Sequence, residues 1–301
     1  MPEAITDLDK VILDAVAACK HGPVHNLLLR YTFPVRLIKH PLDGKFEDQA
    51  AAWQAAERPQ NLYINHGTFI HPIRTDGTRL DGIGHIINEL KQKGDSNRAL
   101  YSLINMHDIV GKGDLPIPSF LILQFGKLDK TLNCTAYFRA LEVGSFLPIN
   151  LTEMCSVMKR IYREFPDIER IDLCIHAFRA YFKENFDCLE KSLLDQQGVA
   201  KILAWLTEPG KKDEVRDWLI SKLKESTVIA TSGFEEMCNF LRLSRDKTRP
   251  FYSDEFLAAL EQAKACLIQL KELRLKASFG KELETTTDQF RKHLQKAISA
   301  I

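Results

Sequence analysis

Hydrophobic residues recur with two different periods in the first two thirds of the chain. Spacing typical of an amphipathic helix marks residues 5–20, 45–58 and 80–90. Apolar, β-branched and aromatic residues typical of strands are concentrated in residues 26–38, 120–125, 132–138 and 169–182. Helices interspersed with strands in this order predict an α/β (α+β) fold, with a large mixed sheet and flanking helices.

The pattern changes near residue 196, after which only helical spacing is found. Helices are predicted for 198–225, interrupted at Pro209-Gly210, and for 233–243, 253–276 and about 281–298. We therefore expect two domains: a core formed by residues 1–195, and a helical C-terminal region, residues 196–301, packed on that core.

Residues 113–150 contain the most informative local pattern. The runs Phe120–Phe125 and Leu132–Phe138 flank Asp129-Lys130, which predicts an antiparallel hairpin. Ser119 precedes the first strand and Arg139 follows the second, while Asn150 is expected to begin a helix reaching residue 164. A cleft could bring these three polar side chains together, or Arg139 and Asn150 could simply cap a strand-to-helix junction.

Composition excludes several functional classes. The 301 residues carry a net charge of +1, so the total gives no strong nucleic-acid signal. The sequence contains no run of membrane-spanning length, and the N-terminus lacks the pattern of a signal peptide. The seven cysteines are scattered without a C-x-x-C pair, which favours reduced thiols and a cytoplasmic location. His66 and His71 lack a third ligand at diagnostic spacing, so no metal is predicted.

The order of these features resembles thymidylate synthases and the related pyrimidine hydroxymethylases. The resemblance covers residues 76–195 well and 5–40 loosely. It is carried by Asp76-Gly77, Ser96-Asn97-Arg98, Pro118-Ser119-Phe120, Arg139 to Glu142 and Leu147-Pro148-Ile149-Asn150. It implies a sheet that pairs back-to-back in a homodimer.

The resemblance also implies a set of ligand contacts. Candidate phosphate-binding residues are Arg139, Arg98 and Lys20, and Arg98 would reach the partner subunit's nucleotide. Asn150 corresponds to the residue that hydrogen-bonds the pyrimidine ring. Further candidate site residues are Ser145, Glu142 and Tyr181.

Departures from the family pattern fall on its catalytic positions. Ser119 occupies the position of the nucleophilic cysteine, and Phe120 replaces the neighbouring histidine. A serine hydroxyl is much less acidic than a thiol and needs a dedicated base. The proton-handling glutamate, the sugar-binding histidine and the C-terminal lid over folate have no counterpart either. We therefore expect no folate cofactor and no ordinary thymidylate synthase activity.

Three functional hypotheses remain. The first is a divergent pseudoenzyme that binds a pyrimidine nucleoside monophosphate or a related phosphate, with any catalysis using different chemistry. The second is a non-catalytic dimeric scaffold whose residues 196–301 bind a protein partner. The third, an active relative using another cysteine, is disfavoured because strand alternation turns Cys134 away from Arg139.

Overall fold

The computed structural model describes residues 2–104, 109–110, 117–183, 198–223, 231–277 and 279–301. It divides into two compact units. The sheet unit contains the described residues within Met1–Pro59, Ile64–Val110 and Ile117–Cys188, and the helical unit those within Gln60–Tyr63, Gly111–Pro116 and Leu189–Ile301. The predicted boundary at residues 195–196 lies outside the described residues.

The sheet unit is built on seven strands: β1 (Glu3–Ala4), β2 (Val24–Pro34), β3 (Leu100–Ser102), β4 (Phe120–Leu128), β5 (Thr131–Phe138), β6 (Leu141–Glu142) and β7 (Arg170–Tyr181). Their order across the sheet is β1-β2-β7-β5-β4-β3, and β6 also pairs with β7. Strands β5 and β7 run parallel, whereas β2–β7, β4–β5 and β3–β4 are antiparallel. The mixed sheet expected from the sequence is therefore confirmed.

In the described part of the sheet unit, five helices flank the sheet: α1 (Asp9–Ala18), α2 (Glu47–Gln54), α3 (Gly67–Ile70), α4 (Gly82–Gln92) and α5 (Phe146–Glu164). Short 3-10 turns at Val35–Ile38 and Pro41–Gly44 follow β2. The apolar stripe predicted for the helix near residues 80–90 is buried at Ile83, Ile86 and Leu90. Leu80 precedes the helix and is partly exposed.

The predicted hairpin is confirmed and is longer than expected. Strand β4 continues to Leu128 and β5 begins at Thr131, so the turn is Asp129-Lys130. Asp129 has φ of 49°, a left-handed conformation that aspartate tolerates better than most residues.

Helix α5 begins at Phe146, one turn earlier than predicted, so Asn150 does not begin the helix. The reason is the buried carboxylate of Glu142, which accepts hydrogen bonds from the backbone N–H groups of Ser145 and Phe146 at 2.6 and 3.1 Å. These groups would otherwise lack partners at a helix N-terminus. Pro148 is compatible with the first turn because its missing N–H falls there.

Side chains alternate between the two faces of the sheet. One face contributes the buried core residues of the sheet unit, including Tyr31, Leu123 and Ile175. The opposite face carries a row of four paired residues, one on each of four neighbouring strands: Leu28, His176, Tyr137 and Ile122. We call these four residues the outer row. His176 therefore lies on the face of the sheet opposite the core. Its ring is edge-on to the ring of Tyr137, with 5.1 Å between the two ring centroids.

The helical unit contains six helices in its described part: α6 (Val199–Trp205), α7 (Lys212–Leu223), α8 (Ser232–Leu243), α9 (Arg245–Thr248), α10 (Asp254–Lys276) and α11 (Lys281–Ser299). Their buried faces form a separate apolar core that includes Trp218, Phe234 and Phe256. The helices predicted after residue 196 are confirmed, including the break at Pro209-Gly210. Among the described residues, no helix combines the length and apolar character needed to cross a membrane.

Candidate functional site

Several candidate residues lie along one edge of the sheet. Because β5 and β7 are parallel and β4 is antiparallel to β5, the start of β4 lies beside the ends of β5 and β7. Ser119 precedes β4, Arg139 follows β5 and Tyr181 ends β7. We call this region the strand-end edge. It brings together three candidates that are separated by up to 62 positions in the chain.

Arg139 is held in place by the segment before β4. Its Nε donates to the carbonyl oxygen of Pro118 at 3.1 Å, and Nη2 donates to that of Ile117 at 3.0 Å. Its backbone N–H donates to the carbonyl oxygen of Ser119 at 2.9 Å. Partial desolvation lowers the pKa of the guanidinium. Because the ordinary pKa of arginine lies far above neutral pH and the residue as a whole is exposed, the group stays cationic at neutral pH.

No carboxylate in the described part of the chain forms an ion pair with Arg139. The candidate residue Glu142, three positions after Arg139, directs its carboxylate to the backbone. Glu142 is 1% exposed and accepts four backbone N–H groups, from Gly144, Ser145, Phe146 and Lys183, at 2.6–3.3 Å. Within the described residues, neither the charge of Arg139 nor its remaining N–H donors are therefore taken up by an acidic side chain.

Ser145 and Lys20 lie close to the same edge. Ser145 immediately precedes α5, and its backbone N–H is the donor closest to Glu142. Lys20 is in the turn before β2, whose first residue, Val24, pairs with Ala180 near the end of β7. The pKa of the neighbouring Cys19 thiol is raised, mainly by burial and to a smaller extent by the negative charge of Glu142. The turn that contains Lys20 is therefore near Glu142. The Lys20 side chain itself is exposed.

Arg98 is located towards the other end of the strands. The carbonyl oxygen of Ala99 accepts from the N–H of Phe125, which is six residues along β4 from Ser119. At about 3.3 Å per residue, this places Arg98 about 20 Å from Ser119 along the strand direction. Arg98 and Arg139 therefore do not converge on one ligand within a single chain.

Asn150 belongs to a buried polar cluster. Its Nδ2 donates to Oε2 of Glu153 at 3.0 Å, and both side chains are on the same side of α5 because they are three residues apart. The Nδ1 atom of His66 lies 2.9 and 3.0 Å from the two carboxylate oxygens of Glu153. The three residues are at most 7% exposed.

This cluster is adjacent to the strand-end edge. The His66 ring lies edge-on to Phe120, which directly follows Ser119, with 5.8 Å between ring centroids. Phe120 in turn stacks on Phe138, the residue before Arg139, with centroids 4.6 Å apart. The polar cluster and Arg139 are thus connected through two packed aromatic rings.

Sequence reasoning did not identify His66 and Glu153 as partners. In the sequence, His66 is notable only as a possible metal ligand beside His71, and Glu153 falls within the predicted helix without a distinguishing local motif. One signal was present: Glu153 lies in a helix whose neighbouring positions Leu151, Met154 and Val157 are apolar. A carboxylate in such a helix is rarely buried without a partner, but the sequence does not show which residue provides it.

Comparison with known proteins gives a partial match. No known protein-family profile matches the chain. An 89-residue stretch is 33% identical to thymidylate synthases of Buchnera aphidicola subsp. Acyrthosiphon pisum, strains Tuc7 and 5A, covering 30% of this chain and 33% of theirs. A 90-residue stretch is 30% identical to the thymidylate synthase of Buchnera aphidicola subsp. Schizaphis graminum, with the same coverage. The chain matches about a third of the length of these curated relatives, which indicates a distant thymidylate-synthase-like relationship.

Proposed function

We propose that the sheet unit binds a pyrimidine nucleoside monophosphate or a related phosphate at the strand-end edge. The observation that carries this proposal is the state of Arg139: exposed, held by two backbone carbonyl groups, and without an acidic partner in the described part of the chain. A fixed guanidinium with free N–H donors is suited to a phosphate, because its planar fork can make two parallel hydrogen bonds.

The residues around Arg139 supply further contacts of the same kind. The hydroxyl groups of Ser119 and Ser145 can donate to phosphate or sugar oxygens. Tyr181 is close enough to Arg139 to influence its pKa. The base would extend towards Asn150, which is one helical turn, or about 6 Å, into α5. Lys20 would add positive charge from the turn before β2.

Folate-dependent methyl transfer is not part of this proposal. By its resemblance to thymidylate synthases, the chain has Ser119 at the position of that family's cysteine nucleophile. Two other thiols of the sheet unit are poor substitutes, because burial raises the pKa of Cys134 well above its ordinary value and that of Cys155 to about 12. Neither thiol would ionise appreciably at neutral pH. We therefore propose a divergent member of the family that lacks its ordinary activity.

A homodimer would explain the separation of the two arginines. Arg98 is too far from Ser119 to reach the same ligand, but a second copy could place it at the partner's strand-end edge. The outer row offers a surface for such pairing. Leu28 and Ile122 are 56% and 37% exposed, and Phe178 on the same face is 51% exposed. Apolar residues grouped on one open sheet face are typical of protein interfaces.

Sedimentation of charge variants tests the homodimer. Leu28→Glu places a carboxylate in the outer row, and Leu13→Glu makes the same change on the exposed side of α1, where Leu13 is 66% exposed. We expect a dimer for the wild type and for Leu13→Glu, and a monomer for Leu28→Glu. A monomeric wild type, or equal behaviour of the two variants, would contradict pairing through this face.

Calorimetric titration tests nucleotide binding. The full chain is titrated with the 5′-monophosphates of cytidine, uridine and thymidine, with the matching nucleosides, and with inorganic phosphate. We expect a monophosphate to bind more tightly than its nucleoside, and Arg139→Ala to remove this difference. Arg163→Ala, an exposed arginine in the last turn of α5, is the matched control and should leave binding unchanged.

The same titration separates the two main hypotheses. Binding that is equal in the wild type and Arg139→Ala would move the phosphate site elsewhere. No binding of any monophosphate would refute the proposal. It would instead favour a dimeric scaffold whose helical unit binds a protein partner.

A further inference from the structure

One buried carboxylate joins two of the segments that border the strand-end edge. Oε1 of Glu142 accepts the backbone N–H groups of Gly144 at 2.9 Å and Lys183 at 3.3 Å. Oε2 accepts those of Ser145 at 2.6 Å and Phe146 at 3.1 Å. Lys183 follows β7, whereas the other three donors lie at or just before the start of α5. Glu142 therefore attaches the end of a strand to the start of a helix.

Two candidate ligand contacts lie within these segments. The backbone N–H of Ser145 is the donor closest to the Glu142 carboxylate. Tyr181 pairs with Glu142 in the register of β6 on β7, and its carbonyl oxygen accepts the N–H of Val143 at 2.9 Å. Arg139 is held separately, by carbonyl groups that precede β4. The position of Ser145 and Tyr181 relative to each other therefore depends on residues 142 and 143.

An aromatic ring packs against the same loop. A Cβ atom added to Gly144 would lie 2.7 Å from a ring carbon of Phe182 and 3.1 Å from Oε1 of Glu142. Glycine is thus required here by close approach, and the backbone before Ser145 contacts both the ring and the carboxylate. A loop held in this way is ordered before a ligand arrives, which lowers the entropy cost of binding.

We infer that Glu142 is a positioning residue that acts through Ser145, an inference that rests on the proposed nucleotide site. Glu142 itself is 1% exposed, and each of its carboxylate oxygens already accepts two N–H groups, so it does not contact the ligand. Its carboxylate holds the backbone of Ser145 where the hydroxyl group can donate to a phosphate oxygen bound by Arg139.

The sign of the effect on binding separates positioning from charge. A carboxylate that acted only through its charge would repel a phosphate, so Glu142→Gln would strengthen binding. Positioning predicts the opposite, because the new NH₂ group cannot accept the N–H groups of the loop and Ser145 is displaced. In calorimetric titration of the full chain, we expect uridine 5′-monophosphate to bind Glu142→Gln about tenfold more weakly, the size of one hydrogen bond to a charged group.

A double-mutant cycle tests whether Glu142 acts through Ser145. Ser145→Ala alone should also weaken binding about tenfold. The loss in the double variant should stay near tenfold, because the hydroxyl group that Glu142 positions is already absent, whereas independent effects would give about a hundredfold loss. Unchanged or tighter binding by Glu142→Gln, or additive losses, would overturn the inference while nucleotide binding stands. If the wild type binds no monophosphate, the proposed function and the inference both fail.

Asp81→Ala is the matched control for a loosened helix start. The Asp81 carboxylate accepts the backbone N–H groups of Ile83 and Gly84 at 3.1 and 3.0 Å, at the beginning of α4. Its loss should destabilise the sheet unit and leave the affinity for uridine 5′-monophosphate unchanged. An equal loss of affinity in Asp81→Ala and Glu142→Gln would indicate a general effect of stability and would overturn the inference.

Hydrogen exchange in the wild type avoids dependence on a variant that does not fold. We expect the amides of Ser145, Phe146 and Lys183 to be as protected as those of β7 in the ligand-free protein, because Glu142 already holds them. Protection that arises only after uridine 5′-monophosphate is added would overturn the inference, since the ligand would then order the loop in place of Glu142.

Discussion

Replacing Glu142 by glutamine should destabilise the sheet unit strongly although it changes only one atom. One carboxylate oxygen accepts from the N–H groups of Gly144 and Lys183, and the other accepts from those of Ser145 and Phe146. In glutamine, one of these oxygens becomes an NH₂ group that can only donate. Two backbone N–H groups would then face another donor in place of an acceptor.

The expected loss can be worked out from these contacts. An unsatisfied buried N–H costs about 1 kcal/mol or more, which gives about 2 kcal/mol for the two groups. Removing a negative charge beside the first turn of α5 adds about 1 kcal/mol through the helix dipole. The free energy of unfolding of the sheet unit should therefore fall by about 3 kcal/mol.

Fluorine NMR of the protein labelled with 5-fluorotryptophan isolates the sheet unit in a urea titration. Such a measurement is needed because a chain with two units need not unfold in one step. Trp53 belongs to the sheet unit and lies edge-on to Phe146 at 5.4 Å, whereas Trp205 and Trp218 belong to the helical unit. For a denaturant slope of about 2 kcal/mol per molar, the Trp53 midpoint should fall by about 1.5 M urea.

Glu164→Gln at the other end of α5 is the matched control. Glu164 pairs with Lys91 at 2.5 Å, but both side chains are over 40% exposed. Such surface pairs contribute little, so the change should be below about 0.5 kcal/mol. If Glu142→Gln shifts the Trp53 midpoint no further than Glu164→Gln, the assigned role of Glu142 at the start of α5 is refuted.

Two further predictions concern the same unit. Gly67→Ala would place a methyl group 2.0 Å from the carbonyl oxygen of Ala55, so we expect a loss of about 2 kcal/mol or more in the same titration. In the control Gly126→Ala the nearest atom is 4.0 Å away, and an equal loss in both variants would contradict the steric reasoning. Separately, the hydrogen bond from Lys10 lowers the pKa of Asp14 in the folded state. Asp14 therefore stabilises the fold at neutral pH, and this contribution is lost as pH falls below about 4. Asp14→Asn should lower the free energy of unfolding by less than about 1 kcal/mol at pH 7 and have no effect near pH 2, and a difference that persists in acid would refute this linkage.

Local periodicity was sufficient to predict most elements. The hairpin of β4 and β5, strand β7 and the helices of the C-terminal region were all recognisable from the spacing of apolar residues. The reason is that the repeat of a helix or a strand is a property of the backbone and is imprinted on consecutive positions. Element ends were less accurate. Helix α5 starts earlier than expected because its N-terminal N–H groups are satisfied by Glu142, outside the helix.

The candidate site likewise combines features that follow from local sequence with features that depend on long-range pairing. Ser119 and Arg139 could be placed near each other from the sequence, because a hairpin brings its two outer ends together. The placement of Tyr181 beside them required the parallel pairing of β5 and β7, which no local pattern reveals. The distance of Arg98 from Ser119 required the register of β3 on β4.

The pairing of His66 with Glu153 was decided by the tertiary structure alone. The two residues are 87 positions apart and meet only because α2, α5 and the segment before α3 pack together. Neither residue stands out in its local sequence, and their hydrogen bond exists only when the fold brings the two side chains together. A hydrogen bond between distant residues depends on the path of the whole intervening chain. For that reason, the sequence by itself determined which residues were apolar, polar or charged and where the chain would be helical or extended, while the fold decided which polar atoms would face one another.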